Sequence, residues 1–243
     1  VNQFKDIIKV LADNEIFSMT LSGGEVLTRK QKLYPLIQAV KQQDIELSIN
    51  SNLTLLTEED AKELKSLGVD GVMVSLLSYE EQTHNKIANK QGSFKKTMRG
   101  IEFLLRENVY VSANMVVSKH NKEDVYQTGL FVKNLGIDSF SAAQAVPSQA
   151  GGKNHLEHSL GNEEIMQYLE DLHRIEKDTG MFVKLTNPLP YCSIWEERPH
   201  LRSLLQSSSC TAGRTIIQIS PNGDVRACPM VNKTYGNLLN EDL

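Results

Sequence analysis

The stretch Phe17-Ser18-Met19-Thr20-Leu21-Ser22-Gly23-Gly24-Glu25 sets the reading of the whole chain. Phe17, Met19 and Leu21 alternate with Ser18 and Thr20, the two-residue period of a β-strand, and the strand runs into a paired-glycine turn. Ahead of it, Phe4, Ile7, Ile8 and Leu11 recur at helical spacing; behind it, Leu33, Leu36, Ile37 and Val40 form a second helical stripe. Ile45 to Ile49 is the next strand.

The same alternation continues along the chain. Thr57 with Asp60 has the spacing of a capping box and predicts a helix stopping near Gly68. Val72 to Leu76 reads as a strand, Phe94, Met98, Ile101 and Leu105 as a long helix, and Tyr110 to Val117 as a strand. Asp124 to Leu135 predicts a helix and Ser139 to Val146 a strand closed by Pro147. Ser148 to Gly161 is polar and reads as a loop. Asn162 opens a helix to about Gly180, and Phe182 to Leu185 makes a last strand before Pro188 and Pro190. Strands and helices alternating at these lengths imply an α/β fold with a parallel sheet. A barrel, whole or partial, and an open doubly wound sheet share this periodicity, which leaves the choice open.

Composition bounds the function. The chain has 243 residues, 40% hydrophobic and 23% charged, with a formal net charge of -4. That balance gives no basic face for nucleic acid. No apolar run approaches the roughly 20 residues of a membrane span, and Val1 to Leu11 lacks signal-peptide character. Three scattered cysteines make no disulfide framework, so a cytoplasmic location is expected.

In parallel α/β sheets ligands bind beyond the carboxyl ends of the strands. That rule selects Gly23-Gly24-Glu25, Ser51-Asn52, Ser75, Asn114 and Gln144 to Pro147. Paired glycines let a backbone pass close to a ligand, Glu25 could hold an ammonium group, and the hydroxyl and amide groups could bond a ribose or carboxylate. Each alone is also what a turn or helix cap looks like; their shared position at one rim favours a common ligand site.

Past Tyr191 the helical stripes stop, and Cys192, Cys210 and Cys228 all fall in this part. Ile216 to Ser220, the turn Pro221-Asn222-Gly223-Asp224 and Val225 to Ala227 form a hairpin pattern framed by Cys210 and Cys228. Two thiols brought together this way could ligate a soft metal or an iron–sulfur cluster, with Cys192 a candidate third, or could pack as small hydrophobes. The six histidines show no metal-ligand spacing; His155 and His158 read as solvated. Trp195 reads as a packing anchor.

Together these residues resemble the radical S-adenosylmethionine superfamily, in particular its members with a SPASM or Twitch extension, over nearly the whole chain. Leu21 to Glu25 looks like the family's GGE strand end, and Ile49-Asn50-Ser51-Asn52 like the next strand-end motif. Val74-Ser75-Leu76 with His84 and Gly92-Ser93-Phe94 is similar to its fourth βα unit, and Asn114 to Val117 to its fifth strand. Cys210, twelve residues, Gly223, four residues and Cys228 fit the extension's opening, and Tyr235-Gly236-Asn237-Leu238 resembles its continuation. Departures exist: Leu77-Ser78 and Ala88 stand where the family carries Asp-Gly and arginine, so Lys86 or Lys90 would substitute.

The resemblance implies a partial (β/α)6-type TIM barrel over 1–190, without its first strand and cluster loop, and a small α+β iron–sulfur extension over 191–243, incomplete at Leu243. It implies S-adenosylmethionine bound by Gly23, Gly24, Glu25, Ser51, Asn52, Ser75 and Asn114. A [4Fe–4S] cluster would be held by a cysteine triad ahead of Val1, and an auxiliary iron–sulfur cluster by Cys210, Cys228 and Cys192. The implied activity is radical chemistry on a peptide or protein substrate, such as thioether crosslinking, fed by a donor such as flavodoxin or ferredoxin. Two competing expectations are a cluster-free barrel lyase or aldolase using Lys119 or Lys184, and a degenerate peptide-binding member.

Overall fold

A computed structural model of the chain describes residues 2–146, 158–189, 194, 196–206, 208 and 210–240. Strands β1 (Ser18–Leu21), β2 (Glu46–Ser51), β3 (Gly71–Ser75), β4 (Val111–Val117), β5 (Ser139–Gln144) and β6 (Phe182–Leu185) lie side by side in chain order, all parallel. An unreversed order is that of a barrel; a doubly wound sheet reverses at a switch point. β1 and β6 are the two ends of the order, so the sheet is open and the fold is a partial TIM-type barrel.

Helix α1 (Asn2–Asp13) precedes β1; α2 (Lys30–Lys41), α3 (Glu58–Ser66), α4 (Glu81–Ile87), α5 (Ser93–Arg106), α6 (Val125–Asn134) and α7 (Asn162–Thr179) lie in the connections, and α8 (Arg202–Gln206) follows β6. The expected capping box at Thr57 and Asp60 opens α3, and Gly180, at φ 66°, ends α7 in the left-handed conformation that lacks a Cβ penalty. The short α4 and α8 carry too few turns to show an apolar stripe, and no helix was expected at either place.

Strand alternation divides the sheet into two chemistries. Leu47, Ile49, Val72, Val74, Val111, Ala113, Met115, Phe140, Ala142 and Val183 are buried in one core with the helices. Thr20, Ser48, Asn50, Met73, Ser75, Ser112 and Asn114 point the other way and remain at least partly exposed. The open face is therefore mainly polar, with Met73, Val116, Ala143 and Phe182 also on it.

That core continues past residue 190, because Ile194, Leu201, Leu204 and Leu205 pack into it. The small sheet comes next: β7 (Gln218–Ile219), β8 (Asp224–Arg226) and β9 (Thr234–Asn237), antiparallel, with Gly223 at φ 86° in the turn. The hairpin matches the sequence pattern; β9 lacks the alternation that would announce it. Leu238, Ile219 and Val225 pack on Ile7 and Leu11 of α1 and on Met19 of β1, which brings the small sheet back to the first strand. No helix among the described residues is long and apolar enough to cross a membrane.

Candidate functional site

The rim begins at the turn after β1. Gly23 and Gly24 are exposed, neither has a positive φ, and a Cβ built on either meets nothing within 4 Å. Neither backbone conformation nor packing within the protein requires glycine there. Glu25 behaves differently. Its Oε1 accepts the Ser51 hydroxyl at 2.7 Å and the Leu27 N–H at 3.1 Å, and its Oε2 accepts the Asn52 N–H at 2.9 Å. A carboxylate offers about four acceptor positions, so against the described residues one remains, on Oε2. Glu25 thus clamps the end of β1 to the end of β2 and keeps a single lone pair beside the glycines.

The end of β2 is held from several sides. Ser51 is buried, donates to Glu25 and accepts the Leu53 N–H at 3.0 Å, so its hydroxyl already has two partners within the protein. Alternation puts Ser51 on the helix side of the sheet and Asn50 on the open side. Asn50 is the inward group, and the strict alternation of Ile49, Asn50 and Ser51 was the signal for it. Asn52 uses its Oδ1 on the Thr54 N–H and hydroxyl, at 2.9 and 2.7 Å, so that oxygen serves a turn. Its carbonyl accepts the Thr97 hydroxyl at 2.8 Å. Leu53 then takes φ 59°, unusual for a leucine, held by its own burial against α5. Lys30 donates to Asp60 and to the Leu55 carbonyl at 2.8 Å, tying the loop after β1 to the loop after β2. Burial opposes ionisation of Asp60, but bonds from Lys30, Tyr34 and Thr57 outweigh it and hold the carboxyl below its ordinary range.

Further round the rim, Ser75 and Asn114 are register partners, and Asn114 pairs with Ser141. Asn114 Oδ1 accepts the Ser141 hydroxyl at 2.9 Å, which leaves its amide N–H groups for a ligand. Asn121, unheralded by any motif, donates to the carbonyls of Leu77 at 2.7 Å and Val116 at 2.9 Å and accepts the Ser118 N–H at 2.8 Å, locking the ends of β3 and β4 together. His84 is buried edge-on to Phe94, its Nδ1 accepting the Leu77 N–H at 3.3 Å. Burial pushes its pKa down to about 4, so the ring is neutral at pH 7. Lys86 and Lys90 line an open cleft of about 1100 Å³ over α4 and the turn beyond it, together with Glu80 and Glu81.

In the small sheet Cys210 is exposed, Cys228 is half-buried, and both thiols are free. Their neighbourhoods pack closely: a Cβ on Gly213 would lie 3.2 Å from that of Ala227. The Met230 N–H donates to Cys228 Sγ at 3.4 Å. Cys192 and Trp195 lie outside the described residues, as does Pro147. Among the described residues no group of three or more His, Cys, Asp or Glu is arranged to hold a metal ion.

Known proteins share this architecture. The sequence profile of the Radical SAM superfamily matches residues 1–132. The chain is 24% identical over 230 residues to an AdoMet-dependent heme synthase of Methanosarcina barkeri, covering 90% of this chain and 65% of the relative. It is 25% identical over 245 residues to the antilisterial bacteriocin subtilosin biosynthesis protein AlbA of Bacillus subtilis, covering 99% and 51%. A probable GTP 3',8-cyclase of Saccharolobus islandicus is 26% identical over 227 residues, covering 91% and 70%. The chain thus spans 51% of AlbA and 65% of the heme synthase. Among solved structures, Streptococcus suis SuiB bound to precursor peptide SuiA superposes with a TM-score of 0.78 at 18% identity, covering all of this chain and 56% of SuiB. The AdoMet-bound anSMEcpe superposes at 0.75 and 17%, covering all of this chain and 70% of that one.

Proposed function

This chain belongs to the radical SAM superfamily, and we propose that it holds S-adenosylmethionine at the open rim of its sheet to act on a peptide or protein. When bound beside a [4Fe–4S] cluster, that cofactor supplies one-electron chemistry that removes a hydrogen atom from a substrate. The protein's part is to bind, orient and shield.

The observation that carries the reading is Gly23-Gly24. Exposed backbone polar groups stand there with no described side chain over them, next to the one lone pair of Glu25 that no described residue uses. That set of acceptors and donors matches an amino-acid moiety. Asn50, Ser75 and the free amide of Asn114 line the adjoining interior and suit a ribose or a substrate amide. From β1 to β6 the interior positions supply mainly hydroxyls and amides, with Met73, Val116 and Ala143 among them, Glu46 and Phe182 at the lower edge, and Lys184 on β6 as a cation. A largely uncharged lining suits a peptide. AlbA's role in bacteriocin biosynthesis and the peptide-bound SuiB point the same way.

Cys210 and Cys228 suit an auxiliary cluster as its first two ligands, since an N–H aimed at sulfur, as at Cys228, stabilises a thiolate. The three cysteines of this sequence are all carboxy-terminal, and none of them is assigned to the catalytic cluster. Electrons would come from a flavodoxin- or ferredoxin-type donor. To test the reading, the product of the complete reading frame is reconstituted anaerobically with iron and sulfide, reduced, and given S-adenosylmethionine. 5′-Deoxyadenosine forms in a reductant-dependent way; none above background removes the catalytic reading.

A further inference from the structure

His120 and His158 share no spacing motif, being 38 positions apart, yet Nε2 of His120 lies 3.1 Å from Nδ1 of His158. The rings stand 4.9 Å apart between centroids, tilted by 53°. His120 is on the turn after β4, at the same rim as Gly23 and Glu25, and is exposed; His158 precedes α7 and is half-buried.

The two segments are tied together independently of the imidazoles. The Lys119 N–H donates to the His158 carbonyl at 3.3 Å. Lys122 reaches Glu164 in the first turn of α7 at 2.8 Å, which neutralises one nearby cation. Asn121 pins the turn itself through Ser118. The pair is therefore presented by a braced backbone, with only ring rotations left to adjust.

Imidazole nitrogens bind zinc-type ions at about 2.0–2.1 Å, so two of them at right-angled to tetrahedral separation lie roughly 2.8–3.4 Å from one another. The observed 3.1 Å falls inside that window. We propose that His120 and His158 form a two-histidine site for a divalent transition metal of the zinc, nickel or copper kind, its remaining positions taken by water. Imidazole ligands select those ions over the hard calcium and magnesium. The site uses neither the thiols nor the rim glycines, so it stands or falls separately from the radical reading.

The test is calorimetric titration of the metal-free protein, its thiols alkylated, with Zn²⁺, alongside Co²⁺ followed by visible absorption. One equivalent binds, and the cobalt spectrum lacks a thiolate charge-transfer band. His120→Ala and His158→Ala each weaken binding by more than the ~10–100-fold that losing a supporting partner costs, while Cys210→Ser with Cys228→Ser leaves it intact. Circular dichroism and melting temperature check that the histidine variants stay folded. Equal affinity in the histidine variants, binding that disappears with the cysteines, or no binding at all overturns the site and leaves a plain hydrogen bond between two imidazoles.

Discussion

At the scale of single residues, Glu25 and Ser51 form one device. Ser51→Ala removes one of three donors that orient the Glu25 carboxylate. A hydrogen bond to a carboxylate is worth about 1 kcal/mol or somewhat more, so affinity for S-adenosylmethionine falls about fivefold or more, read by calorimetry on the reconstituted protein. An unchanged affinity would mean that Glu25 takes no part in holding the cofactor. Tyr168 offers the opposite sign. Its hydroxyl is fully buried without a hydrogen-bond partner among the described residues, and burial pushes its pKa up. Tyr168→Phe removes an unsatisfied group and raises stability by about 1 kcal/mol, or roughly 2–4 °C in Tm for a chain of this size. The rim residues were legible because strand ends and paired glycines are local features. Roles were less so: Ser51 and Asn52 have the right chemistry, but their partners are Glu25, Leu53 and Thr54, and hydrogen bonds between distant loops leave no trace in spacing.

At the scale of elements, α5 meets the end of β2 at Gly100. A Cβ there would lie 2.6 Å from Leu53 Cβ and 3.0 Å from its carbonyl oxygen, which is backbone and cannot step aside. Gly100→Ala therefore destabilises by about 1–3 kcal/mol, although the same change in an exposed helix gains up to about 1 kcal/mol. Denaturant unfolding decides the sign. His84, between β3 and α5, sets a pH response. Its folded pKa of about 4 lies below the reference value of 6.5, so the unfolded chain binds the proton more readily. The stability it contributes is present above pH 6.5 and is lost as pH falls towards 4. His84→Asn, which keeps an acceptor for the Leu77 N–H, flattens Tm against pH across that window; a parallel curve would put the titration elsewhere. Long periodic helices and alternating strands were legible throughout. The short α4, α8 and β9 were not, because each is stabilised by what it packs against.

At the scale of the whole molecule, strand order gathers a set of polar residues at one rim. Unreversed parallel order places the ends of β1 to β5 along one rim and directs one mainly polar face inward. Sequence periodicity could not separate a barrel from a doubly wound sheet, since both use the same βα unit; pairing between distant strands decides it. The return of the small sheet onto α1 was equally invisible, as it depends on Leu238 and Ile219 meeting Ile7 and Leu11 across the length of the chain. The decisive measurement is anaerobic binding of S-adenosylmethionine to the iron-reconstituted product of the complete reading frame, wild type and Gly24→Val, with melting temperatures alongside. Open space around Gly24 predicts equal melting temperatures, saturable binding of one equivalent by the wild type, and an affinity at least about tenfold weaker in the variant, where the new side chain covers the backbone. Equal binding by both proteins, or none by the wild type, would contradict a cofactor seat at this rim.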